Sequence, residues 1–216
     1  MNSDEKKITE NYLKEKESLE QDRLNIPMLK YFWQASPLAT NRKKSIPKFL
    51  RNIDVFKHFS DYELKTFSNF LHNRTFASEE IVIEEGDTGF GFYLIFAGNI
   101  EVYSKRQKVT EGVTENYHQL ITRLSKYEYF GELALLENQS ARNATAVSKG
   151  TSSVLAIYKP DLEELIDRYP VVGAKLLQAL SLIVSRRFNQ VTEELKTLKD
   201  KCSSLESQIV DKNVQN

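Results

Sequence analysis

The apolar residues between about position 73 and position 158 occur in short alternating runs, a pattern that predicts β-strands rather than helices. Such runs lie at 81–83, 92–96, 100–103, 120–122 and 153–158. Pairs such as Gly86-Asp87 and Gly98-Asn99 separate them with residues that are typical of turns. Many short strands at close spacing predict a small antiparallel barrel or roll and argue against alternating β-α-β units.

Helical patterns precede the strands. A short helical piece is predicted just after Pro47. Ser60 is a favourable N-cap residue for a second helix, which would carry Asp61 and Glu63 in its first turn. The apolar residues of this second helix share one face: Leu64, Phe67, Phe70 and Leu71.

Two further helices are predicted after the last strand. The first begins at Pro160-Asp161, Pro170 interrupts it, and a long helix then runs from about Val171 to about Val210. The predicted fold class is therefore α+β. We expect an antiparallel β-roll, similar to a jelly-roll barrel, flanked by N-terminal helices and a long C-terminal helix.

The distal part of the long helix carries a regular apolar pattern. Its apolar residues are spaced alternately four and three apart, which defines a heptad seam: Val191, Leu195, Leu198, Cys202, Leu205 and Ile209. Two interpretations stay open. The seam forms the coiled coil of a homodimer, or the helix packs this face on its own barrel.

Charge and composition limit the function classes. Thirty basic residues balance thirty acidic ones, so nucleic acid and membrane are not expected partners. The sequence shows no N-terminal signal and no apolar run long enough to span a bilayer. The single cysteine, Cys202, excludes an intrachain disulfide. A cytoplasmic protein is expected.

The stretch from Phe130 to Val147 carries the chemistry. Gly131 leads into a short run of helix formers that starts at Glu132, and a strand resumes at Ala144. The amides at a helix start have no partner within the helix and attract anions. Glu132 would repel an anion directly, so we expect its side chain to point aside and accept hydrogen bonds from neutral hydroxyl groups. Arg142 can supply the compensating positive charge through the planar donors of its guanidinium.

This pattern resembles the phosphate-binding cassette of the cyclic-nucleotide-binding domain family, which includes the regulatory subunits of the cAMP-dependent kinase and the bacterial catabolite activator protein. The resemblance covers about Pro47 to Thr192. It rests on the cassette sequence Phe130-Gly131-Glu132-Leu133-Ala134-Leu135-Leu136, on Glu85-Gly86-Asp87, on the run 92–98 and on two closing helices. It implies a cyclic-nucleotide ligand, with cAMP expected and cGMP as the alternative.

The resemblance also implies roles for individual residues. Arg142 is expected to pair with the exocyclic phosphate oxygens. Glu132 is expected to accept a hydrogen bond from the ribose 2′-hydroxyl, helped by the backbone of Gly131. Backbone groups of the other candidates would complete the phosphate cradle: Leu133, Ala134, Leu135, Asn143 and Ala144. Arg187, Asn189 and Thr192 lie near the expected turn of the long helix, and of these Asn189 and Thr192 are the candidates for base contact.

Three features near Arg142 depart from the family pattern. Ala141 stands where a proline normally precedes the arginine, Asn143 stands where a small or hydroxyl residue is typical, and the segment 131–142 is one residue longer than usual. These departures leave two hypotheses. The first is a non-catalytic receptor that relays ligand binding to a partner protein. The second is a nucleotide-free domain that acts as a dimeric protein-interaction scaffold.

Three segments are predicted: a charged and aromatic extension (1–46), the cyclic-nucleotide-binding domain (47–192) and a C-terminal helix extension with a coiled-coil pattern (193–216). The first contains an apolar cluster that predicts a partner-protein surface within 25–46: Met28, Leu29, Tyr31, Phe32 and Trp33. Packing of this cluster on its own domain is the alternative. The histidines are scattered and no metal-ligand cluster is visible, so neither catalysis nor a metal or cofactor is expected.

Overall fold

The computed structural model describes residues 45–89, 91–110, 113–137 and 141–214. The predicted partner surface within 25–46 lies outside these ranges except for its last two residues. The chain divides into two compact units, Met1–Leu176 and Leu177–Asn216. Among the described helices, none combines the length and the apolar character needed to cross a bilayer.

The helices before the sheet are α1 (Ile46–Arg51), a short 3-10 helix (Asp54–Phe56) and α2 (Asp61–Ser68). The start of α2 confirms the predicted cap. The Ser60 hydroxyl accepts a hydrogen bond from the Glu63 amide at 3.2 Å, and Glu63 Oε2 accepts one from the Ser60 amide at 2.7 Å. Leu64 and Phe67 are buried on one face of the helix, so its apolar pattern serves packing.

The strands in the described part of the chain are β1 (His72–Phe76), β2 (Ile81–Ile83), β3 (Gly91–Thr110), β4 (Val113–Leu124), β5 (Tyr129–Phe130) and β6 (Thr145–Tyr158). Every pairing between them is antiparallel. The order is β1-β6-β3-β4, while β2 also pairs with β6 and β5 pairs with β3. Together with the flanking helices, this sheet confirms the predicted α+β class. The two long strands β3 and β6 form its centre.

Buried apolar side chains from β3, β5 and β6 belong to one core cluster. Within it, the Tyr93 and Phe130 rings stack with centroids 5.1 Å apart, and the Tyr158 ring meets Tyr93 edge-on. Phe130 is the first residue of the candidate cassette, so this core cluster holds the start of the cassette. The position of the cassette is therefore fixed by apolar packing directly beneath it.

The sequence prediction was wrong at Gly98-Asn99. A turn was expected there between two strands, but the structure continues as the single strand β3 on both sides. The pairing of β3 with β6 shifts register on either side of Ala97, which makes a bulge. Gly98 has a φ of 87°. The buried Ser152 hydroxyl satisfies the bulged backbone, since it accepts from the Asn99 amide at 3.2 Å and donates to the Asn99 carbonyl at 3.0 Å.

A short helix, α3 (Leu133–Leu136), follows β5, and two further helices close the fold after β6. They are α4 (Lys159–Arg168) and α5 (Pro170–Val214), separated at Tyr169 as the proline predicts. Close to the start of α5, the Lys175 ammonium lies 2.7 Å from the Glu63 carboxylate of α2. The hydrogen bond from Lys175, and after it the one from the Ser60 amide, lowers the pKa of the Glu63 carboxyl below its ordinary value.

Gly98→Ala should destabilise the domain by about 2–3 kcal/mol because the new Cβ combines a positive φ with a collision. A Cβ at this position would lie 2.5 Å from Ser152 Oγ and 2.7 Å from Ser152 Cα. Gly150→Ala is the matched control, since Gly150 also has a positive φ but no atom within 4 Å of the added Cβ. We expect it to cost only about 1 kcal/mol. Equal losses in urea unfolding would contradict the tight Ser152 bulge.

Glu63→Gln should lower stability by about 1 kcal/mol at neutral pH, since glutamine keeps the cap but loses the charge that faces Lys175. The folded-state pKa of Glu63 lies below its unfolded value of about 4.3. The stabilisation is therefore complete above that unfolded value and is lost as the pH falls through the folded value. Urea unfolding from pH 7 to acid should show the two proteins converging. A difference that stays constant with pH would exclude the ion pair as its cause.

Candidate functional site

The candidate cassette leaves the sheet at the end of β5. Gly131 follows with a φ of 82°, and the short helix α3 (Leu133–Leu136) comes next. Glu132 precedes this helix and is buried, with only 3% of the residue exposed. A positive φ at Gly131 is readily adopted only by glycine. Glu132 follows this glycine directly and lies in the interior.

The backbone amides of α3 are partly engaged within the turn itself. The Ala134 amide donates to the Gly131 carbonyl at 3.3 Å, and the Leu135 amide donates to the Glu132 carbonyl at 3.1 Å. Ala134 and Leu135 are also buried, so packing holds this one-turn helix. At its far end, the Lys159 ammonium of α4 donates to the Glu137 carbonyl at 3.1 Å. The cassette helix is therefore tied to the first closing helix.

The return segment is fixed by backbone pairing with the turn before β3. The Arg142 amide donates to the Asp87 carbonyl at 2.8 Å, and the Gly86 amide donates to the Arg142 carbonyl at 2.8 Å. Ala141 forms a β-bridge with Thr88. Gly86 has a φ of 89°, as expected for an architectural glycine. These contacts place the backbone of Arg142 beside the turn that precedes β3.

The Arg142 side chain points into the protein, and only 6% of the residue is exposed. Its Nη1 donates to the Gly91 carbonyl at 3.0 Å and lies 3.5 Å from the Gly131 carbonyl. Its Cζ also lies 5.7 Å from the centroid of the Tyr93 ring. The guanidinium is thus fixed between the start of β3 and the start of the cassette.

Glycines leave the space that the guanidinium occupies. A Cβ at Gly89 would lie 2.0 Å from Arg142 Nε, and a Cβ at Gly131 would lie 2.9 Å from Nη1. Gly131 was predicted as a site residue from the sequence, whereas Gly89 and Gly91 were recognised only as turn glycines. Their only signal in the sequence is their position at the entry to a predicted strand. Their role depends on Arg142, which lies more than fifty positions later, so no local pattern shows it.

The structure brings together both ends of the predicted site. Nη1 of Arg142 lies beside Gly131, and Glu132 is the next residue in the chain. Asn143 is exposed and Ala144 is half-buried on the strand side of Arg142. Two buried charged side chains are costly to a fold, and such groups cluster at binding sites. Chemically, the arrangement offers an arginine fork for an anion and a carboxylate that can accept from hydroxyl groups.

The two candidates for base contact lie on α5 in the unit Leu177–Asn216. Asn189 is exposed, and the Thr192 hydroxyl donates to the Phe188 carbonyl of its own helix at 2.9 Å. Contact of either residue with a base stays a prediction. In the described ranges, no group of three or more histidine, cysteine or acidic side chains is arranged to hold a metal ion.

Comparison with known proteins matches the same segment. Residues 73–169 match the family model of the cyclic nucleotide-binding domain. The chain is 34% identical over 113 residues to the cAMP-dependent protein kinase regulatory subunit of Mycosarcoma maydis, covering 52% of this chain and 20% of that protein. It is 35% identical over 112 residues to the regulatory subunit of the same name from Blastocladiella emersonii, covering 51% and 26%. The chain therefore spans about a quarter or less of the length of these two relatives.

A solved structure shares the fold. The cyclic nucleotide-binding domain from Methylobacillus flagellatus KT superposes with a TM-score of 0.57 at 20% identity, covering 69% of this chain and 80% of that chain. At this identity the likeness shows the fold alone. The family match extends over the cassette, Arg142 and the glycines around its guanidinium. Residues 73–169 of this chain therefore match the cyclic nucleotide-binding domain family, as the resemblance of the cassette implied.

Proposed function

We propose that this domain is a non-catalytic receptor for a cyclic nucleotide, with cAMP as its preferred ligand and cGMP as the alternative. The observation that carries the proposal is the buried Arg142 guanidinium. Its Nη1 donates to the Gly91 carbonyl at 3.0 Å and lies 3.5 Å from the carbonyl of Gly131, the residue before Glu132. The choice of cAMP is supported by the names of the curated relatives, which are regulatory subunits of a cAMP-dependent kinase.

The ligand would lie across the cassette. The guanidinium of Arg142 would face the exocyclic phosphate oxygens, because a planar fork of donors matches them better than a point charge does. The Glu132 carboxylate would accept from the ribose 2′-hydroxyl. Backbone groups of Gly131, Leu133, Ala134, Asn143 and Ala144 would complete the cradle. The ligand would lie against α3, which is short and is held in place by packing.

The output would pass from the cassette to the closing helices. The Lys159 ammonium donates to the Glu137 carbonyl at the end of α3 at 3.1 Å, so a displacement of α3 would be transmitted to the start of α4. Farther on, Gly173 of α5 fits tightly against Ile166 of α4, since an added Cβ would lie 2.7 Å from Ile166 Cγ1. Ligand binding can shift these elements only by its differential affinity for the two arrangements. A partner protein, bound in part by residues 25–46, and a homodimer formed through the C-terminal helix would receive the shift.

One observation favours the second function, a nucleotide-free scaffold. The Arg142 side chain is buried and its Nη1 already donates to a backbone carbonyl, as a purely structural arginine would. The departures at Ala141 and Asn143 point in the same direction. A binding experiment separates the two functions.

Arg142→Ala should weaken cAMP binding roughly 100-fold, about 3 kcal/mol, since it removes the charge-assisted fork to the phosphate. Arg142→Lys should fall between the wild type and the alanine variant, because it keeps the charge and loses the fork. Calorimetric titration of the full chain with cAMP and with cGMP measures both. Circular dichroism and urea unfolding of each variant show that the fold is retained.

Arg106→Ala is the matched control, since Arg106 is exposed on β3 and its Nε donates to the Gln119 side chain at 3.3 Å. Its cAMP affinity should equal that of the wild type. If the intact protein binds neither nucleotide, the receptor proposal fails and the scaffold is favoured. If Arg142→Ala binds cAMP as the wild type does, the assigned site is wrong.

Leu198→Glu should convert the homodimer into a monomer, because it places a charge in the middle of the apolar seam. Thr197→Glu is the matched control, since it adds the same charge one position away on the outer face of the same helix. Light scattering of the full chain gives the mass of each protein. A wild-type monomer, or a dimer that persists in Leu198→Glu, would contradict dimerisation through this seam.

A further inference from the structure

Strand β4 forms one edge of the sheet. At this end of the sheet, Ile81 of β2 pairs with Val147 of β6, and Val147 also pairs with Glu101 of β3. Glu101 pairs in turn with Arg123 of β4. Among the described strands, β4 pairs with β3 alone. Its outer side therefore presents backbone N–H and C=O groups to which a further strand can bond.

The β4 edge lacks the usual protections against such pairing. Proteins protect an edge by keeping its strand short or by placing lysine or proline on it. β4 (Val113–Leu124) has 12 residues and contains neither lysine nor proline. In contrast, β2, at the other end of the same row of strands, has 3 residues. The long strand is therefore the one that can accept a partner.

Apolar side chains are exposed on the same stretch of β4. Tyr117 is 46% exposed, Leu120 38% and Ile121 55%. Ile121 is the extra residue of a bulge, because the register with β3 shifts there. A bulge can turn an edge away from a partner, but the residues before this one, Val113–Leu120, pair with β3 without interruption. The edge is therefore regular where Tyr117 and Leu120 expose apolar surface.

A fixed guanidinium borders this apolar stretch. The Arg123 Nε donates to the Glu101 carboxylate at 2.8 Å. The Glu101 side chain is only 10% exposed, whereas that of Arg123 is 73% exposed. The hydrogen bond from the Tyr103 hydroxyl, and after it the one from Arg123, lowers the pKa of the Glu101 carboxyl below its ordinary value. A buried anion thus holds the guanidinium through Nε, and the Nη groups at its exposed end carry donors that suit a second carboxylate.

Opposite charges balance within this cluster, but they do not reach the surface equally. The Lys149 ammonium lies 2.9 Å from the Glu79 carboxylate and 3.5 Å from that of Glu101. Beside β4, the exposed group is the Arg123 guanidinium, since Glu101 lies beneath it. The acidic residue of β4 is Glu115, which lies eight positions before Arg123 and pairs with a lysine of β3. A segment that docks here therefore meets donors, which favours an acidic side chain.

We propose that the β4 edge from Tyr117 to Arg123 binds an extended segment of a partner protein as an additional β-strand. Backbone hydrogen bonds attach the segment to the free edge. Its apolar side chains cover Leu120 and Ile121, and one of its carboxylates accepts from the Arg123 guanidinium. The segment is therefore both apolar and acidic. This surface lies outside the candidate cassette and outside residues 25–46, so the inference does not rest on the proposed function.

Peptide selection tests this surface with the full chain. A display library of random ten-residue peptides is the probe, and we expect the selected peptides to alternate apolar with polar residues and to carry an acidic one. Arg123→Glu should weaken the binding of a selected peptide roughly tenfold in fluorescence polarisation, because it replaces attraction by repulsion. Ile121→Lys should have a similar effect, because it places a protective charge on the edge.

Lys65→Glu is the matched control. It makes the same charge change as Arg123→Glu at an exposed position of α2, so the affinity for the peptide should not change. Circular dichroism of each variant shows that the fold is retained. A selection that yields no peptide, or peptides that bind Arg123→Glu as tightly as the wild type, overturns the proposal.

Peptides with N-methylated amides test the addition of a strand. In a bonded edge pair, alternate amides face the neighbouring strand. Methylation of every second amide should therefore abolish binding in one of the two phases and preserve it in the other. A helical or irregular peptide that contacts the same side chains has no such alternation. Equal affinities of the two methylated peptides would exclude strand addition.

Hydrogen exchange of the free full chain distinguishes the other occupants of the edge. We expect the outward-facing amides of residues 117–123 to exchange rapidly at every protein concentration, and slowly once the selected peptide is bound. Protection in the free chain at all concentrations would mean that another part of this chain covers the edge. Protection that grows with concentration would mean that a second copy does. Either result overturns the proposal, while the titration with cAMP continues to decide whether the domain is a receptor.

Discussion

The pairing of β3 with its neighbours is the constraint on which the candidate site depends. β5 is bonded to β3 at Tyr93 and Phe130, so the chain must leave the sheet for the cassette directly above that pair. The segment that leads into β3 holds Arg142 through two backbone bonds of 2.8 Å at Gly86 and Asp87. Both ends of the cassette are thus located by one strand and its approach. The Arg142 guanidinium reaches the Gly91 carbonyl because Gly91 is the first residue of β3.

This dependence explains what the sequence could predict. Features decided within a few residues were predicted correctly, such as the Ser60 cap, the break at Pro170 and the class of fold. Arg142 and Glu132 were predicted from the sequence as ligand-binding residues of one segment, and their contact with a nucleotide stays a proposal, although the structure buries both. Their residue types and order carry the pattern, and that pattern is local.

Features decided by distant partners were not predicted. Gly98 has the composition of a turn, yet it lies within a continuous strand because the Ser152 hydroxyl, more than fifty positions later, satisfies the backbone around it. The role of Gly89 was likewise not predicted, because the group that occupies its space is Arg142, whereas a Cβ at Gly91 would meet Tyr93 and Tyr158. A pattern in one sequence does not show which distant side chain packs against a given glycine. The glycine itself only permits the approach.

The close fit between Gly89 and Arg142 also has a consequence for descent. As long as the arginine is kept, any side chain at position 89 must displace it, since a Cβ there would lie 2.0 Å from Nε. Once the arginine is replaced, this contact no longer requires glycine at position 89, and other residues become acceptable there. The two positions should therefore change together among descendants of this sequence. A lineage that has lost the arginine would then be recognisable at position 89 as well.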